Sequence, residues 1–197
     1  MILVAVQHER SAQERILDTA RVLFNQRGFH QTSMAELATA AKVSVGQIYR
    51  LFKSKEDIIH AMVSSSTDAR KQQLTLLWER LHRSEIDVEE AFELLMLGVI
   101  DDPHEALAFD ILAEAFRNDR VGETIAVMCS QLRKLLHEFA RAANPRLTSD
   151  ELATAEEMIL ACMFGLGHRS LSRPELSGER AAKGAGGMIV AGLRGIH

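Results

Sequence analysis

The chain has 197 residues, 47% of them apolar and 25% charged, which allows one large or two small domains around a real core. Three prolines argue against a loop-rich β-sandwich, and two cysteines, Cys129 and Cys162, exclude a disulfide framework or a four-thiolate zinc site. The net charge of −4 is unevenly spread: residues 1–60 carry eight basic and six acidic side chains, net +2, and the remainder is net −6. A mildly basic head on an acidic body suits a chain that meets phosphate at one end; random variation in surface charge gives the same balance.

The low cysteine content suits a reducing cytoplasm. The opening MILVAV is too short for a signal-peptide core, and no uncharged stretch approaches the ~20 residues of a spanning helix. A cytoplasmic protein with no membrane span is expected.

In chain order, helix-start signals recur at short intervals. Ser11-x-x-Glu14 opens a helix with Ile16, Ala20, Leu23 and Phe24 on one face, stopped at Gly28. Ser33-x-x-Glu36 opens a second and Ser44-x-x-Gln47 a third, each a capping-box pattern. A fourth runs from Lys55 to about His82, with Glu56 and Asp57 favourably placed in its first turn and a polar middle, the mark of a helix that bridges two bodies. Five more follow. Asp87-x-x-Glu90 starts one to about Ile100, Pro103 one to Phe116, and Asp119 one to about Ala143. Thr148-x-x-Glu151 starts one to about Leu171, and Ser177 precedes the last, to about Gly195. The chain therefore reads as all-α with about nine helices. The expected division is residues 1–57 as a helix-turn-helix domain and 58–197 as a helical ligand-binding and dimerisation domain.

Residues 33–52 have the layout of two short helices joined by a turn at Lys42–Ser44. A 100° step puts Val45, Ile48, Tyr49 and Phe52 on one side of the second helix and Gly46, Gln47, Arg50 and Leu51 on the other. The second set suits a major groove: Gln bonds the N6 and N7 edge of adenine bidentately, and Gly lets the backbone approach closely. Arg50, Lys53 and Lys55 flank that face with charge for phosphates.

The stretch from Arg15-Ile16-Leu17 through Arg27-Gly28-Phe29, Thr32-Ser33-Met34, Ala41-Lys42-Val43-Ser44-Val45-Gly46-Gln47-Ile48-Tyr49 to Phe52-Lys53-Ser54-Lys55-Glu56-Asp57-Ile58 resembles the N-terminal domain of TetR-type (TetR/AcrR) transcriptional regulators. The resemblance covers residues 12–60. It implies that Thr32 and Ser33 meet a phosphate, and that Ser44 to Gln47 begin the recognition helix with Gln47 reading a base. It also implies that Tyr49 packs its ring inward while offering its hydroxyl to a phosphate, and that Lys55 grips the DNA backbone. Two positions depart from the family pattern. Lys42 stands where a Gly is frequent, in a turn with φ above zero, at a cost of roughly 1 kcal/mol that one more phosphate contact would repay. Leu51 stands where His or Tyr is common, and either packs on a neighbouring helix or touches a thymine methyl.

For the second domain the resemblance implies an effector pocket, with Phe92, Met96, Phe109, Leu112, Phe116 and Met128 as candidate lining for a small, apolar molecule. Each of these also fits an ordinary core position. His104 and His137 could bond a polar ligand group or simply lie on the surface. It further implies a homodimer built on the two final helices, with Met158, Cys162, Gly165, Arg169, Gly187, Val190 and Ala191 at the interface, so that two heads read a palindromic double-stranded DNA operator. No enzyme motif stands out, neither His-Glu-x-x-His, nor a phosphate-cradling Gly-rich loop, nor Gly-x-Ser-x-Gly, and neither cofactor nor metal is expected. The expected function is a ligand-released repressor; the alternative is a helical small-molecule carrier or enzyme with a degenerate head.

Overall fold

The computed structural model describes residues 11–100 and 105–196. Among them the chain is all-helical, without strands: α1 (Ala12–Arg27), α2 (Met34–Ala40), α3 (Val45–Leu51), α4 (Lys55–His82), α5 (Val88–Ile100), α6 (Glu105–Ala115), α7 (Asp119–Ala143), α8 (Ser149–Gly167), a 3₁₀ turn (Arg169–Ser172) and α9 (Gly178–Arg194). The expected start at Pro103 lies outside the described residues, as do the MILVAV segment and His104. The eighth helix stops at Gly167, short of the expected Leu171, and the chain continues as the 3₁₀ turn.

Helix starts are fixed locally. In α1, α2 and α8 a hydroxyl (Ser11, Ser33, Thr148) accepts the amide three residues on, and the glutamate there (Glu14, Glu36, Glu151) reaches back to the cap amide. In α3 the Ser44 hydroxyl accepts the Gln47 amide at 3.1 Å without the reciprocal arm.

The described residues belong to two compact units. The first takes in the described residues up to Val63 together with Ala106–Gly122, the second those from Ser64 to Glu105 and from Glu123 onward. The division within α4 thus falls later than residue 57, and the first unit also takes in most of α6, which the sequence reading gave to the second domain.

In the first unit, Ile16, Ala20 and Phe24 of α1 are buried with Leu37 and Ala38 of α2, Ile48 of α3 and Ile58 and Ile59 of α4. The α1–α2 loop is pinned from two sides. Phe29 packs edge-on to Phe24, and His30 Nε2 lies 2.8 Å from a carboxylate oxygen of the buried Glu114 on α6. In the second unit, Leu74 and Leu77 of α4 join Phe92, Leu95 and Met96 of α5, Leu136 and Phe139 of α7, Leu152 and Ile159 of α8, and Ala182 and Val190 of α9. Phe139 takes Trp78 and Phe92 edge-on. Gly186 lets α9 lie directly on α5: a Cβ there would sit 2.8 Å from the Glu93 nitrogen. At the end of α9, the Asn144 amide donates to the carbonyls of Leu193 and Ile196.

Candidate nucleic-acid interface

The joint between α2 and α3 is a Schellman turn. The Lys42 amide donates to the Thr39 carbonyl and the Val43 amide to the Ala38 carbonyl, with Lys42 itself left-handed at φ 54°. The expected positive φ is therefore present on a non-glycine residue. Arg15 of α1 holds this corner by donating from Nε to the Ala41 carbonyl at 3.2 Å.

On α3, Ile48 is fully buried, and Phe52, just beyond the helix, is nearly so. Gly46 and Arg50 are exposed and Gln47 is half-buried. Among the described residues, no protein group hydrogen-bonds the side chains of Gln47, Arg50, Lys42 or Lys53. Two acids near the helix pair, Glu36 and Asp57, are by contrast engaged. Glu36 accepts from Ser33, whose amide and hydroxyl hold its carboxyl below the usual value. One Asp57 oxygen accepts the amides of Lys53 and Ser54, and the other accepts Arg120 at 2.7 Å. Burial alone would raise the Asp57 carboxyl, and these donors outweigh it to leave it lowered. Uncommitted cations and a carboxamide thus share a region whose carboxylates are occupied, which favours an anionic partner.

Four expectations on this surface change. Val45 and Tyr49 are 50% and 46% exposed, so neither is core; on a seven-residue helix only Ile48 and the following Phe52 fall squarely on the inner arc. Leu51 is also exposed rather than packed away. Thr32 is 1% exposed and its hydroxyl donates to the Gly28 carbonyl at 3.1 Å, so this side chain does not face a phosphate. Lys55 donates to the Phe29 carbonyl at 2.6 Å and stands over the Phe29 ring at 4.4 Å. Its ammonium serves the α1–α2 loop, and burial lowers its pKa against the pull of Glu56, Glu114 and Glu36. Ser33 and Ser44 are exposed, as expected, but both hydroxyls are already caps.

The expected effector residues are divided between the two units. Phe92 and Met96 are core residues of the second unit, with Met128 packed against that core, whereas Phe109, Leu112 and Phe116 belong to the first unit. Phe116 is 93% exposed, which removes it as a wall of an enclosed pocket. His137 is not free: its Nδ1 lies 2.7 Å from a Glu156 oxygen. Among the interface candidates, Met158, Gly165, Gly187 and Ala191 are exposed and Cys162 is half-buried. Arg169 donates to the Leu176 carbonyl. Val190 is 2% exposed in the core of its own unit and cannot meet a partner. Met188, which the sequence reading passed over, is 78% exposed; on α9 it stands two positions from Val190, on the opposite side of the helix. Among the described residues no group of His, Cys, Asp and Glu could hold a metal ion, and no helix is long and apolar enough to cross a membrane.

A short helix pair with an uncommitted polar and basic outer edge, held on a third helix, defines a helix-turn-helix module. Residues 16–62 match the family described as "Bacterial regulatory proteins, tetR family". Over those residues the chain is similar to the N-terminal domain of that family. It is 31% identical over 130 residues to the HTH-type transcriptional regulator UidR of Escherichia coli strain K12, over 64% of this chain and 60% of UidR. The chain thus spans less than two thirds of that relative's length. Among solved structures, Salmonella enterica GusR superposes with a TM-score of 0.71 at 22% identity, covering 95% of this chain and 97% of GusR. A transcriptional regulator from Rhodococcus sp. Rha1 gives 0.75 at 19% identity, covering 95% and 100%. These likenesses show that the all-helical fold is shared along the chain.

Proposed function

We propose that this protein is a sequence-specific DNA-binding transcriptional regulator that acts as a repressor, binds a palindromic operator as a homodimer, and is released by a small apolar effector held in its helical body. The observation that carries the reading is the outer edge of the helix-turn-helix, where Gln47, Arg50, Lys42 and Lys53 have no protein partner among the described residues while the neighbouring acids are occupied. Arg50, Lys42 and Lys53 supply phosphate contacts and Gln47 a base contact. The exposed Met158 and Met188 of α8 and α9 support pairing of two copies, because apolar side chains of that size are costly to leave in water. A dimer places two recognition helices on successive half-sites. The reading makes the protein a non-enzymatic binder in the cytoplasm.

Selection from random double-stranded oligonucleotides with the full chain tests it, read with sedimentation of the free protein. A palindromic consensus and a two-fold mass are expected. Failure to enrich any sequence at low salt would turn the assignment toward a carrier or enzyme with a degenerate head.

A further inference from the structure

We propose that Val45 reads the 5-methyl group of a thymine in each half-site, an inference that rests on the DNA-binding reading of α3. Val45 is the first residue of α3, directly after the Ser44 cap. The first turn of a recognition helix is the part that approaches base edges. The side chain is half exposed where Ile48 and Phe52 are buried, so core burial does not account for a branched hydrocarbon here. Helix propensity does not account for it either, since Val is a weaker helix former than the straight-chain residues a solvent-facing position admits.

The neighbours leave its outer side open. Gly46 has no side chain, and the space where its Cβ would stand is empty to 4 Å. A duplex edge can therefore come close to the helix backbone beside Val45. Tyr49, one turn on, extends the same apolar edge, and Gln47 stands nearby with its carboxamide unbonded. In the major groove only thymine offers a methyl group; cytosine presents an amino donor at the adjacent position and carries only a hydrogen at the same carbon. A valine at a helix position has essentially one χ1 rotamer, so its methyls are placed in advance and little freedom is lost on contact.

The test uses the full chain and the operator obtained by selection. Each thymine is replaced in turn, in both half-sites together, by deoxyuridine, which removes the methyl and leaves every hydrogen-bonding group unchanged. One symmetric pair of positions should weaken wild-type binding about fourfold per half-site, the value of one buried methyl. Val45→Ala should bind the thymine operator correspondingly more weakly and be indifferent to deoxyuridine at that pair, while Val45→Thr, which keeps one methyl, falls between. The deoxyuridine series on the wild type needs no variant, so a folding defect cannot mask the answer. A wild type indifferent to every replacement, or a sensitivity undiminished in Val45→Ala, overturns the proposal while leaving DNA binding intact. Absence of any selected operator strikes the underlying reading instead.

Discussion

The ammonium of Lys55 lies 2.6 Å from the carbonyl oxygen of Phe29 and 4.4 Å from the centre of that residue's ring, so the first residue of α4 ties down the loop between α1 and α2. A second carbonyl, that of His30, lies 3.4 Å away. A lysine at this place in a DNA-binding domain reads from sequence as a phosphate ligand; the geometry makes it a structural clasp. Lys55→Met should therefore lower stability by about 1.5–3 kcal/mol, the range for a hydrogen bond made by a charged donor. In thermal unfolding that is a fall of roughly 2–4 °C per kcal/mol for a chain of this size.

The dependence of DNA affinity on salt separates the clasp from the phosphate ligands. Arg50→Ala and Lys53→Ala should each make the log–log slope shallower by about one unit per head, as expected for one released counterion. Lys55→Met should leave that slope unchanged. Filter-binding or anisotropy titrations across a salt series measure all three.

Lys42 holds a left-handed conformation at φ 54° that glycine adopts without steric cost. Lys42→Gly should raise stability by about 0.5–1 kcal/mol, since the side-chain strain removed exceeds the added freedom of the unfolded chain. It should also weaken DNA binding equally on all sequences if the lysine is repaid by a phosphate. Denaturant midpoints and operator titrations on one preparation test both halves.

Two neighbouring glycines of α9 should respond oppositely to the same change. At Gly186 a Cβ would meet the Glu93 backbone at 2.8 Å, so Gly186→Ala should cost about 1–3 kcal/mol through overpacking on α5. At Gly187 nothing lies within 4 Å, and Gly187→Ala should gain up to about 1 kcal/mol from helix propensity. A bulky residue at Gly187 should instead break the proposed dimer, seen as a halved mass in sedimentation.

Stability should fall in acid through the helix caps. The Glu36 carboxyl is held below its ordinary value by the Ser33 amide and hydroxyl, and Glu151 by the Thr148 hydroxyl and amide. A carboxyl lowered in the folded state contributes stability that is fully present above its ordinary value of 4.5 and lost as pH falls through its folded value. Glu36→Gln with Glu151→Gln should lose less stability than the wild type between pH 7 and pH 3 in denaturant titrations.

The helices and the position of the recognition pair could be read from the chain because their signals are local. Caps such as Ser33 with Glu36 act across three residues, and the left-handed turn at Lys42 follows from the layout around it. Residue-level roles were harder to read where the deciding contact is distant or the arc is short. Val45 and Tyr49 looked inward because four apolar residues on two turns of helix spread over more of the circumference than the core can cover. Thr32 looked solvent-facing because its carbonyl partner at Gly28 appears only once α1 has ended. Val190 looked available to a partner because α9 carries small residues on both sides, and its packing on α5 spans about a hundred positions of sequence.

The reciprocal caps of α1, α2 and α8 each close a ring spanning four residues. Joining groups so near in sequence costs little chain entropy, so these helix ends are set on the time scale of helix–coil relaxation, roughly 0.1–1 μs. Docking then decides which helices persist, and the sequence enters its conformational search with several helix boundaries already favoured.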